Sequence, residues 1–383
     1  MSPSVVELGT SPAGDPSWVV KDYQTIRRLL SDGRLNRFPP VDVECPARFT
    51  HAEIIRFKHL DPNAPPPPDD LIRRTVAHAF SKRRMHAIEA KVEAITTSLI
   101  DAMIAAGPPA ELRRDFAGPL SSQVISSLIG VPDEDHQLIQ ELSQSAANLA
   151  EPEISAPADQ QLKDYMRQLV AKKEADLGDD VISDIIRLRV DHPALENVDL
   201  VIGLATGLRF AGQINTVTLI DRGIVHLLRH PEFQAEIVVG DRAARARVVE
   251  EILRLPHPVQ GRVAGVPRYA TADFELGGCT IRRGDLVVMD IEAGNLDPSV
   301  FADPGDFCPA RPATSHLSFG AGTHYCVGAA LARCEMETAF AMLLGRLPEL
   351  RFAVPFEELE PLSHELSGGA TRIPITWKVS QSC

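Results

Sequence analysis

One long apolar stretch of the sequence, residues 198–230, limits the folds that the chain can adopt. It is apolar on nearly every face, which is typical of a helix buried in a large domain. Arg209, Asp221 and Arg222 interrupt it, so it is a poor membrane span. At about 1.5 Å per residue such a helix would extend roughly 50 Å, the width of a whole domain. We therefore predict a central helix around which the rest of the chain packs.

The patterns on either side of this stretch predict a mostly α fold of the α+β type. Amphipathic runs dominate residues 70–260, with long examples at 83–107 and 158–178. Short β-type segments occupy the front of the chain and the part after residue 260, where one helix returns at about 328–347. A proline-rich segment, 61–70, is predicted to be a loop, because proline disrupts helix interiors and central strands.

The composition excludes several kinds of protein. The chain has 383 residues, of which 44% are hydrophobic and 24% charged, and its net charge is −13. Scattered basic residues on an acidic chain argue against nucleic-acid binding. The N-terminal segment lacks the charged and apolar regions of a signal peptide, so we expect a cytoplasmic protein without membrane attachment. The six cysteines have no paired spacing, which argues against a disulfide framework and a zinc ribbon.

Cys326 is the cysteine whose surroundings indicate chemistry. It lies in a glycine-rich loop, HLSFGAGTHYCVG, that leads directly into a predicted helix. Glycines allow tight turns and a close approach of the backbone to a bulky group. A thiolate just before a helix N-terminus has a lowered pKa and is a strong ligand for a soft or borderline metal. Alone, such a cysteine would more often be a small buried apolar residue.

The loop resembles the haem-thiolate loop of the cytochrome P450 family, F-G-x-G-x-H-x-C-x-G, at every defined position. The matching residues are Phe319, Gly320, Gly322, His324, Cys326 and Gly328. Two further motifs follow the family order: Glu251 and Arg254 resemble its E-x-x-R, and Arg311 resembles the arginine of its F-x-P-x-R. In isolation, Glu251 and Arg254 would be read as a solvated helix pair.

The resemblance implies one cytochrome P450 domain over residues 1–383, with the family's usual N-terminal helix absent. It implies haem b between the long central helix and the cysteine loop, with Cys326 as the axial iron ligand. Thiolate ligation favours cleavage of dioxygen. Phe319 and Gly320 of the loop are expected against the haem.

The haem carboxylates are expected to have cationic partners, because buried propionates need them. By resemblance these are Arg73, Arg268 and His316, with His324 facing the same edge. The family usually has a histidine four residues before the first arginine, where this chain has Asp69. One propionate contact therefore has no counterpart, and Asp69 and Arg73 are spaced to pair with each other.

The central helix departs from the family pattern at RFAGQINTVT, 209–218. Hydroxylating relatives read A-G-x-E/D-T here, and the acid and the alcohol deliver the protons that dioxygen cleavage consumes. In this chain Ile214 takes the acid position and Asn215 the alcohol position, and Thr216 follows. Because an amide relays protons poorly, Gln213, Asn215 and Thr216 are predicted as residues that hold substrate or water. Alternatively, Asn215 satisfies a backbone group and Gln213 faces water.

The leading functional hypothesis is an oxidase of bacterial natural-product metabolism that acts on a rigid, nitrogen-containing aromatic molecule such as an indole or a cyclic dipeptide, with C–C or C–N coupling. The alternatives are hydroxylation with substrate- or water-assisted proton delivery, and an inactive haem-binding scaffold or sensor. A ferredoxin-type protein is expected to deliver electrons. The resemblance places the substrate against Phe210, Gln213, Ile214, Val217, Val259 and Gln260.

Overall fold

The structure, a computed structural model, describes residues 5–40, 42–49, 69–146, 151–259, 265–312, 314–362 and 368–379. Helices dominate these residues. They are α1 Tyr23–Leu29, α2 Asp69–Ala79, α3 Lys82–Ala106, α4 Gly118–Ile129, α5 His136–Ala146, α6 Pro152–Ala175, α7 Val181–Leu188, α8 Val198–Arg229, α9 Gln234–Val238, α10 Arg242–Arg254, α11 Ile291–Asn295 and α12 Ala329–Arg346. The strands are β1 Val6–Thr10, β2 Pro16–Val20, β3 Leu35–Asn36, β4 Ala110–Glu111, β5 Val266–Ala270, β6 Phe274–Leu276, β7 Cys279–Ile281, β8 Leu286–Met289, β9 Arg351–Phe352 and β10 Pro374–Thr376.

The predicted central helix is α8. Asn197 caps it, since its side-chain oxygen accepts from the backbone N–H groups of Asp199 and Leu200. Helices α4, α6, α10 and α12 pack around α8 and bury most of its length. The main hydrophobic core is continuous across these elements, which confirms the prediction of a mostly helical protein organised around this segment.

Helix α12, which begins just after Cys326, approaches α8 very closely. The contact is possible because residue 223 is glycine: a Cβ atom there would lie 1.9 Å from Cζ of Phe340 on α12. Any side chain at this position would push the two helices apart. Gly223 thus fixes how close the cysteine loop, carried by α12, comes to the central helix.

The strands form a small β region, as predicted. A mixed five-stranded sheet has the order β1-β2-β8-β5-β3, in which only β2 and β8 pair in parallel. A three-stranded sheet, β4-β10-β9, and the hairpin β6-β7 complete it. Pairing of β5 with β8 holds Arg268 opposite Val287. The first sheet thereby positions the segment that carries a predicted haem contact.

Two boundaries differ from the sequence prediction. The predicted proline-rich loop lies outside the described residues except for Asp69 and Asp70, and these two already belong to α2. Acidic residues are favourable in the first turn of a helix, so α2 begins at these two aspartates. The apolar spacing of residues 22–33 predicts a longer first helix than α1, which ends at Leu29 because Leu30 forms its C-cap.

Candidate active site

A cavity of about 400 Å³ lies between α8 and the loop that contains Cys326. This volume is within the range of small-molecule and cofactor sites. On α8, which is otherwise largely buried, Ala211 and Asn215 are exposed because they open into the cavity. The helix contributes Leu208, Ala211, Gly212, Asn215, Thr216, Thr218, Leu219 and Arg222 to the wall. The opposite wall includes Phe80, Phe319, Cys326, Val327, Gly328, Leu331 and Ala332.

The cysteine loop folds back on itself to present the thiol. The N–H of Cys326 donates to the carbonyl of Phe319 at 2.8 Å, and the N–H of Gly320 donates to that of Leu317 at 2.7 Å. Gly320 has a φ of 71°, in the left-handed region that favours glycine. The Cys326 side chain is exposed, and it opens into the cavity.

The environment of the Cys326 thiol fits an iron porphyrin. Burial raises the pKa of the thiol, while N–H groups of Gly328 and Ala329 and the charges of Arg333 and Arg73 act to lower it. These N–H groups and positive charges would stabilise the negatively charged thiolate form, which is the form that binds a metal ion. Phe80 and Phe319 give the cavity flat apolar walls. Among the described residues no cluster of histidine, cysteine and carboxylate ligands could hold a bare metal ion.

Glu251, Arg254 and Arg311 come together in the structure as one buried cluster. Arg254 makes a bidentate contact to Glu251, at 2.9 and 2.8 Å, and Arg311 Nε lies 3.3 Å from the same carboxylate. The N–H of Cys308 also donates to Glu251, at 3.0 Å. Arg254 further donates to the carbonyls of Asn295 and of the 304–306 turn. These bonds tie α10 to the segment that precedes the cysteine loop.

His316, predicted as a propionate contact, has protein partners in the structure. Its Nε2 lies 3.1 Å from Glu250, and its Nδ1 accepts from the N–H of Ser318 at 3.2 Å, so both ring nitrogens are engaged. Glu250 also binds Arg333 through two hydrogen bonds, at 2.5 and 3.0 Å. Although burial opposes it, hydrogen bonds from His316 and Arg333 lower the pKa of Glu250 to about 2. Sequence reasoning missed this second ionic cluster.

Three other predicted haem contacts, Arg73, Arg268 and His324, are not part of the cavity wall, but each lies next to a segment that carries a wall residue. Arg73 donates to the carbonyl of Tyr325 at 3.0 Å, directly beside Cys326. Arg268 follows Val266 by two residues on β5, and Val266 lines the cavity, so both side chains leave the strand on the same side. His324 is half-buried in the short helical turn that leads to Cys326. The side chain of Asp69 lies outside the described residues.

The two amides of the central helix point in different directions. Asn215 opens into the cavity, and its Nδ2 donates to the carbonyl of Ala211 at 3.0 Å, one turn earlier. Thr216 also lines the cavity but is largely buried. Gln213 is buried, and it is not part of the cavity wall. Two residues span about 200° of a helix, which explains why only one amide reaches the cavity.

Most of the predicted substrate contacts do not reach this cavity either. In the described part of the chain, Phe210, Ile214, Val217 and Val259 are absent from its wall, and Gln260 lies outside that part. The wall of α8 follows positions 208, 211, 212, 215, 219 and 222, the i, i+3, i+4 stripe of one helix face. Phe210, Ile214 and Val217 fall on other faces and are not part of this cavity wall, so their contact with a substrate stays a prediction.

Three charged residues of the cavity wall were not predicted as site residues. Arg222 Nη2 lies 3.4 Å from Oε1 of Glu292, and burial raises the pKa of Glu292. Glu335 of α12 is completely enclosed, and burial raises its pKa well above the usual value. Its Oε2 has no hydrogen-bond partner among the described residues. Arg222 and Glu335 are charged residues inside apolar helix patterns, and this feature of the sequence could have identified them as site residues.

The comparisons with known proteins agree with this geometry. The family model described as "Cytochrome P450" matches residues 245–373. A pentalenolactone synthase from Streptomyces exfoliatus is 33% identical over 95% of this chain and 91% of the relative. A mycinamicin IV hydroxylase/epoxidase from Micromonospora griseorubida is 34% identical over 96% of this chain and 91% of the relative.

Solved structures extend the similarity to the fold. A putative thioether synthase involved in the tailoring step of griseoviridin has a TM-score of 0.86 at 28% identity, covering 98% of this chain and 94% of that chain. A hydroxylase from the leinamycin pathway of Streptomyces atroolivaceus has a TM-score of 0.85 at 32% identity, with coverage of 98% and 94%.

Fold and cavity define a haem-thiolate protein, in which Cys326 faces a long central helix across the cofactor site. The chain belongs to the cytochrome P450 family, and it is an oxidoreductase of the monooxygenase kind found in bacterial secondary metabolism. The helices of its described residues include none that is both long and apolar enough to span a bilayer.

Proposed function

We propose that this enzyme oxidises a rigid, nitrogen-containing aromatic molecule, such as an indole or a cyclic dipeptide, and that the oxidation couples C–C or C–N bonds. The observation that carries the proposal is the orientation of Asn215. Nδ2 uses one of its two N–H groups on the carbonyl of Ala211, so this cavity-lining amide keeps Oδ1 as an acceptor together with one further N–H group. Such an acceptor suits the N–H group of an indole or a lactam.

The residues around the cofactor site are proposed to have different roles. Bound haem supplies thiolate-ligated iron, which activates dioxygen. Cys326 would hold the iron, and Arg73, Arg268 and His324 are proposed to bind the haem carboxylates, since they are cationic or hydrogen-bonding side chains next to segments that line the cavity. Phe319 and Gly320 are proposed to contact the ring. The cluster of Glu251, Arg254 and Arg311 is proposed to hold the loop in place.

Proton supply differs from the usual family arrangement. Asn215 and Ile214 replace the alcohol and the acid, and an amide releases a proton poorly. The other cavity-wall residues with a hydroxyl or carboxyl group are Thr216, Thr218, Ser318, Glu292 and Glu335, and burial raises the pKa of both carboxyls. Coupling of two C–H or N–H bonds would release two protons and two electrons from the substrate while dioxygen is reduced to water, so the substrate itself could supply protons that this wall delivers poorly.

Hydroxylation is the second candidate, and the position of Thr216 favours it. Its hydroxyl lies in the cavity wall one residue after the expected alcohol, where substrate or water can connect it to the reacting centre. Relatives named as hydroxylases are consistent with it. Electrons are proposed to come from a ferredoxin-type protein. Arg333, beside the cysteine loop, is bound by Glu250 through two hydrogen bonds, so a docking surface for this protein would need other basic residues.

The proposal is tested with ligands that differ only in the N–H group. We would titrate the purified holoenzyme with a panel of indoles and cyclic dipeptides and with their N-methylated analogues, following the Soret band. We expect the N–H compounds to bind more tightly by about tenfold, since one hydrogen bond in a dry pocket contributes about 1.4 kcal/mol. The preference should disappear in Asn215→Leu and persist in Gln213→Leu. Equal binding of both series to the native enzyme would contradict the proposal.

The reaction type needs a separate measurement. Turnover with ferredoxin, ferredoxin reductase and ¹⁸O₂ should give a coupled product without incorporated label. A single product that carries one labelled hydroxyl would favour the second candidate instead.

A further inference from the structure

Arg209 is a buried charge on the face of α8 that packs on α4. Its side chain has no accessible surface and is the largest fully buried side chain among the described residues. Its Nη2 donates to Oγ of Ser122 at 3.0 Å, and its Nη1 lies 3.4 Å from the carbonyl oxygen of Ser122. Within the described ranges no carboxylate pairs with it, and Nε has no partner. Buried charges normally have a counter-charge, so this guanidinium calls for one.

The residues around Arg209 form a polar strip in the α4–α8 contact. Thr206 and Gln213 lie three residues before and four residues after it, on the same face of α8, and both are buried. The two helices run in parallel register here, because Ser122 contacts Arg209 while Ile125 packs under Gly212. This register brings Ser126 beside Gln213.

The polar atoms of this strip that lack hydrogen-bond partners are mainly donors. Oγ of Ser126, Oγ1 of Thr206 and Nε of Arg209 lack partners among the described residues, and so does Oε1 of Gln213. Hydroxyl and guanidinium groups donate, and rotation of the Gln213 amide would present its NH₂ group in place of the oxygen. A buried site that is rich in donors and contains a cation is complementary to an anion, not to a metal ion.

We propose that a small monovalent inorganic anion, of the size of chloride, binds between α4 and α8 against Nε of Arg209 and the hydroxyl of Thr206, one turn before it on the same face of α8. Burial lowers the pKa of Arg209 only to about 10, so the side chain keeps its charge at neutral pH. Arg209 is not part of the wall of the cavity that contains Asn215 and Cys326. The anion therefore stabilises the packing of the central helix and takes no part in the oxidation.

The first test locates the ion. Crystals of the holoenzyme soaked in sodium bromide should show an anomalous peak in contact with Nε of Arg209. Density for water alone at this position, with no anomalous signal, would overturn the proposal.

The second test measures linkage. With ionic strength held constant by gluconate, raising chloride from far below its Kd to about 100 times Kd should raise the apparent Tm by roughly 3 °C. Arg209→Met should lose this dependence, whereas Arg167→Met, on the exposed side of α6, should keep it. An unchanged Tm of the native protein over this range, or the same dependence in Arg209→Met, counts against the anion. If Arg209→Met does not fold, the native titration and the bromide peak decide.

Discussion

Gln213 and Asn215 are two residues apart on α8, yet only Asn215 faces the cavity that contains Cys326, while Gln213 is buried on the side of α4. The pair is therefore not one functional unit. Asn215 is available to substrate or water, and Gln213 belongs to the helix packing. This separation makes the two amides matched controls for each other.

The first prediction concerns proton delivery at Asn215. Asn215→Thr restores a hydroxyl at the position where hydroxylating relatives have one, so hydroxylated product should increase relative to coupled product. We expect a shift of at least severalfold in the product ratio, measured by mass spectrometry at equal conversion. The fraction of reductant that appears in product should change with it.

The control is Gln213→Leu, which removes the other amide. It should leave the product ratio unchanged, because Gln213 is not part of the cavity wall, and alter only the thermal stability. If Asn215→Thr gave the native product ratio, Asn215 would have only a structural role, through its hydrogen bond to Ala211.

The second prediction concerns the buried cluster of Glu251, Arg254 and Arg311. Glu251→Gln removes the only charge that compensates the two guanidinium groups within this set of contacts. Loss of one partner of a buried ion pair costs about 3–5 kcal/mol. We expect a matching loss in the free energy of unfolding, and purified protein with a reduced haem content per chain.

Glu349→Gln is the matched control, since Glu349 pairs with Lys378 on the surface. It should retain native haem content and native Tm. If Glu251→Gln behaved like this control, the cluster would have no structural role.

How much of this site the sequence predicts depends on what each motif specifies. A glycine loop of fixed spacing around Cys326 specifies local backbone geometry, so the loop and the helix after it could be located from the sequence alone. The long apolar pattern likewise gave the central helix within a residue. Both features depend on contacts close in sequence.

The directions in which the side chains of α8 point could not be predicted from local patterns. Which face of α8 borders the cavity depends on its rotation against α4 and α12, and thus on long-range contacts such as Gly212 on Ile125 and Gly223 on Phe340. The contact between His316 and Glu250 was missed for a similar reason. Glu250 lies on α10, far from His316 in sequence, and no local pattern predicts the contact.

The third prediction concerns the protonation state of Glu335. Because burial raises its pKa in the folded protein above the ordinary 4.5, folding favours the protonated carboxyl. The stability that this proton contributes is complete below pH 4.5 and declines as pH rises through the range between the unfolded and folded values. Glu335→Gln lacks this dependence, so its stability relative to the native protein should increase with pH.

The measurement is Tm as a function of pH for both proteins. An infrared difference spectrum at pH 7 should in addition show a protonated carboxyl band in the native protein that is missing in Glu335→Gln. Parallel pH profiles without such a band would show that Glu335 is ionised in the folded state.

The fourth prediction concerns acid sensitivity at His226. Burial, with smaller contributions from Arg222 and other nearby cations, lowers its pKa to about 4, although its contact with the carbonyl of Pro256 acts in the other direction. Nε2 lies 3.0 Å from that carbonyl oxygen, and Nδ1 has no partner among the described residues, so a second proton would be added to an enclosed nitrogen. The folded protein therefore resists protonation that the unfolded chain accepts near pH 6.5.

Stability should consequently fall as pH drops from about 6.5 towards 4, by an amount on the order of a few kcal/mol. His226→Phe keeps the stacking against Phe307 and removes the titrating nitrogen, so its Tm should depend less on pH in this range. The slope should not vanish, because His257 is also buried and has a pKa of about 3. Identical slopes for the variant and the native protein would mean that His226 takes up its proton without cost in the folded state.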